Sequence, residues 1–197
     1  CHVNLITKEP YALYNRVKLP YYLKGIIRED EVFMRSPQDE RARGIELLTD
    51  TKVTTLSTDE KVVETDSGRR LPYDRLLIAT GGRPKKLDVP GADAAGVFGY
   101  QGLDDVRALR AAISTASSAV VLGGSLIAYE FVDGLREWDI ETTWIMRGPH
   151  FLHRLIDAQA GATVETIARS HGVTMIFQDN VAELQRTNGA ISGVKST

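Results

Sequence analysis

The sequence has one cysteine in 197 residues, no long apolar run and no surplus of charge of either sign. The single thiol, Cys1, cannot close an intrachain disulfide, and without partners it cannot build a zinc site. Such sparing use of cysteine suits a reducing compartment, so a cytoplasmic protein is expected. No apolar stretch approaches the roughly 18–20 residues that cross a bilayer, and a membrane span is not expected. Lys and Arg number 24 against 26 Asp and Glu, giving a formal net charge of −2 and a pI near 6.1. The charges are interspersed, so there is no electrostatic footprint for nucleic acid or for an acidic membrane surface. The first residue is not Met, and a strand pattern opens at once with Val3-Asn4-Leu5-Ile6. Both features read as truncation at the N-terminus, which leaves the lack of a signal peptide uninformative.

What is present is an α/β pattern. Residues 2–7 alternate as a strand, and residues 11–25 read as a loop holding a short helix around Pro20. Ser36-Pro37-Gln38-Asp39 has the form of a capping box with Pro at the first helical position, and Gly44 ends the helix it opens. Short β segments follow at Ile45–Leu48, 52–56, 61–64 and 70–73, which together suggest a small β-meander. Leu76-Leu77-Ile78-Ala79 is a continuous apolar run, as expected of a strand buried on both faces. Residues 83–96, with Pro84 and Pro90, read as a linker. Beyond it, helices over 104–115, 126–138 and 160–170 alternate with strands over 119–122, 140–146 and 173–177. That order implies a parallel sheet with right-handed crossovers. A hairpin over 181–184 and 191–194 turns at Asn188-Gly189.

The chemistry concentrates at Gly123-Gly124-Ser125-Leu126-Ile127-Ala128, directly after a strand and opening a helix. A dinucleotide fingerprint must sit at such a junction. Gly123 permits the tight turn, Ala128 is small enough for close helix–strand packing, and the helix N-terminus offers free N–H groups to a pyrophosphate. Ser125 replaces the second glycine; its hydroxyl can donate to phosphate, or its bulk can weaken binding. The bland alternative is a βαβ unit that packs well and binds nothing. An acidic residue about 20 positions on would select NAD, but the strand ends in Met146-Arg147-Gly148, with His153 and Arg154 close behind. Arginine pairs with a 2′-phosphate, which favours NADPH over NADH; the alternative is a solvated surface arginine. His2, His150 and His171 have no spacing that suggests a metal site, and no Ser-His-Asp arrangement is recognisable.

Leu71-Pro72-Tyr73-Asp74-Arg75-Leu76-Leu77-Ile78-Ala79-Thr80-Gly81-Gly82-Arg83-Pro84 resembles the Y-D-x-L-x-I-A-T-G-x-x-P segment of FAD-dependent pyridine-nucleotide (disulfide) oxidoreductases. Residues 11–19 resemble the P-Y-x-R-x-x-L stretch found in the ferredoxin, rubredoxin and nitrite reductase branch. Gly123 to Glu130 is similar to the family's second fingerprint, G-G-G-x-I-G-x-E, with Ser125 and Ala128 as departures. The motifs fall in the family's order and the segments between them match in length, so the resemblance covers nearly the whole chain.

The resemblance implies part of an FAD-binding domain over residues 1–98, with the linker at about 83–98. A Rossmann-like NAD(P)-binding βαβ domain over 99–197 would follow, incomplete at its C-terminus. It implies roles for particular residues. Glu9 approaches the adenosine ribose of FAD, Arg16 its phosphates, and the backbone of Val53 its adenine. Ala79, Thr80 and Gly81 line the flavin side, and Glu130 reaches toward the nicotinamide amide. The implied cofactors are FAD and NADP (or NAD), with NAD(P)H as reductant. Disulfide reductases of the superfamily carry a redox cysteine after the second FAD-domain strand or in the nucleotide domain; here both regions lack one, and Val17 stands about where coenzyme A disulfide reductases have theirs. Electrons are therefore expected to pass directly to a separate acceptor, such as a ferredoxin, a rubredoxin or a nitrite-reducing centre. The family's first G-x-G-x-x-G loop and its C-terminal segments are missing from this stretch, so the expected function is that of a parent protein. The competing reading is a non-catalytic or degenerate nucleotide-binding module.

Overall fold

A computed structural model describes residues 2–197. In chain order the elements are β1 (Val3–Ile6), α1 (Leu19–Leu23), α2 (Pro37–Ala42), β2 (Ile45–Leu48), β3 (Val53–Ser57), β4 (Val62–Thr65) and β5 (Arg70–Pro72). They continue with α3 (Leu103–Ile113), β6 (Ser118–Leu122), α4 (Leu126–Arg136), β7 (Glu141–Met146), α5 (Ala158–Ser170), β8 (Thr174–Phe177), β9 (Val181–Thr187) and β10 (Ala190–Ser196). No helix among the described residues is long and apolar enough to cross a membrane. The backbone divides into two units, one of residues 2–16 and Arg28–Gly82, the other of Val17–Ile27 and Arg83–Thr197.

In the first unit β1 and β2 pair in parallel, Val3 opposite Ile45 and Ile6 opposite Leu48. Ser36 caps α2 as its sequence signature requires: its hydroxyl oxygen accepts from the Asp39 amide, and the Asp39 carboxylate accepts from the Ser36 amide. The meander is three-stranded, in the order β3-β4-β5. Ile45–Leu48 therefore belongs to the parallel pair and not to the meander, which corrects the sequence reading. A second correction concerns Leu76 to Ala79, which form no strand. Leu76, Leu77 and Ile78 are 40%, 87% and 65% exposed. An apolar run becomes a doubly buried strand only where other strands flank it and helices cover it, and no strand of the unit pairs with this one.

In the second unit β6, β7 and β8 form a parallel sheet in that order, so the expected alternation of strand and helix yields the expected sheet. β7 is central, and Thr142, Trp144, Ile145 and Met146 on it are all buried. β6 lies at the edge, and Val120 and Leu122 on it are exposed. The hairpin β9–β10 turns through Asn188 and Gly189 at φ 53° and 81°, the left-handed pair that a two-residue hairpin turn demands. Val181 and Leu184 from the hairpin pack with Ile145, and Leu87, Val89, Ala92 and Val97 close over them. The Val17–Ile27 segment is held to this unit by named contacts. The Trp138 indole donates to Leu23 O at 2.9 Å, the Arg110 guanidinium donates to Tyr22 O and stacks on the Tyr22 ring, and Leu19 and Leu23 are buried.

Candidate functional site: a glycine turn at the carboxyl end of the second sheet

β6 ends at Leu122 and α4 begins at Leu126, so the chain reverses within Gly123-Gly124-Ser125. Gly123 has φ +118°, a conformation L side chains rarely adopt, and beyond its own chain neighbours no heavy atom lies within 4 Å of where its Cβ would be. The turn therefore needs glycine and has open space above it. Two contacts fix it from below. The Trp144 indole of β7 donates to Gly123 O at 2.6 Å, and Leu152 N donates to Gly124 O at 3.3 Å. Ser125 is the N-cap of α4, its hydroxyl oxygen accepting from the Ala128 amide at 3.2 Å. The hydroxyl proton is not spent by that bond. Ala128 is buried, as close helix–strand packing requires, whereas Leu126 and Ile127 on the first turn of α4 are 59% and 50% exposed. Sequence reasoning did not find Trp144 as the support of the turn, because only the parallel register of β6 and β7 brings it beneath Gly123.

One helical turn further, Glu130 packs beside Pro20, Leu23, Tyr100, Ile127 and Phe131, which leave no open cavity around it. Burial raises its carboxyl above the usual carboxylate value, and the charge of Lys24 pulls the other way. Lys24 is itself ion-paired with Asp133, three residues along the same helix. The short helix α1 thus brings a cation to the glutamate, a placement that nothing in the local sequence announced.

At the carboxyl end of β7 the chain continues through Arg147 and Gly148 into a turn over 152–156, closed by bonds from Leu155 N and Ile156 N to Leu152 O. Arg147, His153 and Arg154 are all exposed, and none is ion-paired with a described residue. The glycine turn and this loop both follow the carboxyl ends of adjacent parallel strands, where α/β sheets bind ligands. A cleft of about 220 Å³ lined by Arg136, Asp139, Glu141, Thr142 and His171 lies at the opposite, amino end of β7, so it is no part of this site. Among the described residues no three His, Cys, Asp or Glu side chains group as a metal site.

In the first unit Glu9 follows the carboxyl end of β1. Its Oε1 accepts from the Tyr14 hydroxyl at 3.0 Å and from Arg16 Nη2 at 3.3 Å, and the Arg16 guanidinium lies 5.3 Å from the Tyr14 ring centre. Asp50 N donates to Glu9 O and Thr51 N to Thr7 O, which ties this stretch to the turn preceding Val53. Glu9 and Arg16 are therefore brought together, and Val53 opens β3 two residues beyond the Thr51 contact. Ala79, Thr80 and Gly81 do not join an element: they lie in exposed, irregular backbone.

The whole chain, residues 1–197, matches the family described as pyridine nucleotide-disulphide oxidoreductase. It belongs to that family. It is 30% identical over 176 residues to the assimilatory nitrate reductase electron transfer subunit of Bacillus subtilis (strain 168), covering 89% of this chain and 23% of that protein. It is 28% identical over 185 residues to the benzene 1,2-dioxygenase system ferredoxin–NAD(+) reductase subunit of Pseudomonas putida, covering 91% of this chain and 44% of that one. Its fold is similar to a chain in the crystal structure of the covalent putidaredoxin reductase–putidaredoxin complex, with a TM-score of 0.92 and 26% identity over 99% of this chain and 48% of that chain. The chain thus spans about a quarter to a half of the length of these family members. Its fold class is α/β, with a Rossmann-like parallel sheet.

Proposed function

We propose that this chain is the nucleotide-handling part of an FAD-dependent oxidoreductase that takes hydride from NADPH and passes electrons to a separate acceptor without a redox disulfide. The observation that carries the reading is the Gly123 turn, open above, supported from below and set against the N-terminus of α4. Gly123, Gly124, Ser125, Leu126, Ile127 and Ala128 would hold the pyrophosphate of the nicotinamide nucleotide, with Arg147, His153 and Arg154 toward a 2′-phosphate. Glu9 and Arg16 fit the adenosine end of FAD: the carboxylate can accept from ribose hydroxyls, and the guanidinium can donate to phosphate. When bound, FAD supplies the exchange between two-electron and one-electron chemistry that no side chain offers. The protein's share is orientation, and Glu130, partly buried beside Lys24, would position the nicotinamide amide.

A separate redox partner is supported by the names of the relatives, an electron transfer subunit, a ferredoxin reductase and a reductase captured with putidaredoxin. The acceptor class proposed is accordingly a small redox protein or a nitrite-reducing centre. Direct transfer is supported by position, since residues 10–25 and the whole second unit contain no cysteine. The preference for NADPH rests on this chain's own Arg147, because the Pseudomonas relative is named for NAD(+). One observation favours the second reading, a nucleotide-binding module without catalysis: Ala79, Thr80 and Gly81 lie in exposed, irregular backbone.

The test of the carrying observation is nucleotide binding by the chain, followed through tryptophan emission, since one of its two tryptophans touches the turn. Gly123→Val should lower NADPH affinity about tenfold or more, because valine cannot hold that φ. An unchanged affinity overturns the site. Flavin absorbance of the purified protein separates enzyme from module.

A further inference from the structure

Gly148, directly after Arg147, is buried, and its backbone is clamped at the end of the sheet. Gln178 N donates to Gly148 O and Asp179 N to Met146 O, each at 3.2 Å. A methyl group on Gly148 would overlap the His153 imidazole, whose Cγ and Cε1 would lie only 2.7 Å away. The ring of His153 therefore rests against bare backbone, in a notch that only glycine leaves open. The loop around it is anchored at two further points. Leu152 N donates to Gly124 O of the phosphate turn, and His150 packs into a matching notch at Gly161 of α5, where an added Cβ would lie 2.7 Å from its ring. The two imidazoles meet edge to face at 6.4 Å.

We propose that Gly148 is a specificity-determining, positioning residue: by lacking a side chain it seats His153 beside the strand end that carries Arg147, so that the pair grips a nucleotide's 2′-phosphate. The inference rests on the NADPH reading above and deepens it. An arginine on an exposed strand end has a long, mobile side chain, and a second donor held in a fixed place supplies the orientation it lacks. The notch gives that second donor a seat, and its anchor at Leu152 keeps it in register with the pyrophosphate turn. Gly148 has an ordinary backbone conformation, so alanine there strains nothing. The backbone is pinned, and the ring is free to swing away.

The test compares binding of adenosine 2′,5′-bisphosphate and 5′-AMP, which differ only in the 2′-phosphate, to the 197-residue chain by calorimetry. The wild type should prefer the 2′-phosphorylated probe. Gly148→Ala should cut that preference about tenfold while leaving 5′-AMP affinity within about twofold. His153→Ala should do the same, and the double variant should lose no more than either single one, because the glycine acts through the histidine. A Gly148→Ala protein that keeps the preference overturns the proposal. So does one that loses both probes equally, which would mark a purely structural role. A wild type with no preference for the 2′-phosphate overturns the NADPH reading together with this inference, whereas a preference that survives Gly148→Ala overturns this inference alone.

Discussion

Two apolar runs of the same kind meet different fates in this chain. Trp144-Ile145-Met146 lies in β7 between β6 and β8, with Trp144 and Ile145 paired on both sides, and Trp144 is fully buried. Leu76-Leu77-Ile78 pairs with nothing and leaves Leu77 87% exposed. The difference lies in the neighbours and not in the residues: a parallel strand is buried by the strands beside it and the helices across its faces. Energetics should follow. Trp144→Ala removes a large buried ring and the donor that supports Gly123, and should cost about 3–5 kcal/mol. Leu77→Ala should stay within about 0.5 kcal/mol. Urea unfolding followed by circular dichroism measures both; a Leu77 cost approaching that of Trp144 would break the comparison.

The same contrast explains what could be read from the sequence. Capping at Ser36, the Asn188-Gly189 hairpin and the strand–helix alternation from α3 to β8 are local or periodic signals, and each forms where its residues indicate. The position of the glycine turn was legible for the same reason, because a tight turn between strand and helix leaves few residue choices. The fate of Leu76–Ile78, the exposure of Val120 and the pairing of Ile45–Leu48 with β1 depend on which strands stand alongside, and a single segment does not encode that. Trp144 beneath Gly123, Lys24 beside Glu130 and His153 against Gly148 are likewise products of packing between distant segments. The grouping of Glu9 with Arg16 was approached only through family resemblance.

The two arginines differ in the same way as the two runs. Arg16 in the first unit is already engaged with Glu9, whereas Arg147 in the second has no ion-paired partner among the described residues. Arg147→Glu should therefore reverse the preference between NADPH and NADH, at a cost of about 1.5–3 kcal/mol for the 2′-phosphate, or one to two decades in affinity. Arg16→Ala should leave the ratio alone. Direct titration of both nucleotides decides it, and an unchanged ratio in Arg147→Glu removes that residue from the site.

Each unit also has a serine N-cap, Ser36 on α2 and Ser125 on α4. Removing either hydroxyl should cost about 1 kcal/mol of stability, the ordinary worth of a cap. On the proposed reading only Ser125→Ala should weaken nucleotide binding as well, since its hydroxyl stands at the glycine turn with a proton still to donate. Equal nucleotide affinity in the two variants would reduce Ser125 to a cap.

The smallest effect separates the units by sign. Asp39 in the first unit is held below the usual carboxylate value by hydrogen bonds from Ser36, side chain first and backbone second. Glu130 in the second is raised by burial, with Lys24 opposing. A depressed carboxyl contributes stability above its unfolded value and loses it as the pH falls through its folded value. A raised carboxyl does the opposite: its contribution is complete below the unfolded value of about 4.3 and is lost as the pH rises through the folded one. Asp39→Asn should therefore be less stable than wild type at neutral pH and converge with it in acid. Glu130→Gln should be slightly more stable than wild type at neutral pH, because it no longer holds a charge against apolar walls, and should likewise converge in acid. Melting temperatures of the three proteins from about pH 3 to pH 7 measure this, with salt varied to expose any screening of the Lys24 pull. Were Glu130→Gln instead less stable at neutral pH, Lys24 would outweigh the desolvation, and Glu130 would be a charged anchor among its apolar neighbours.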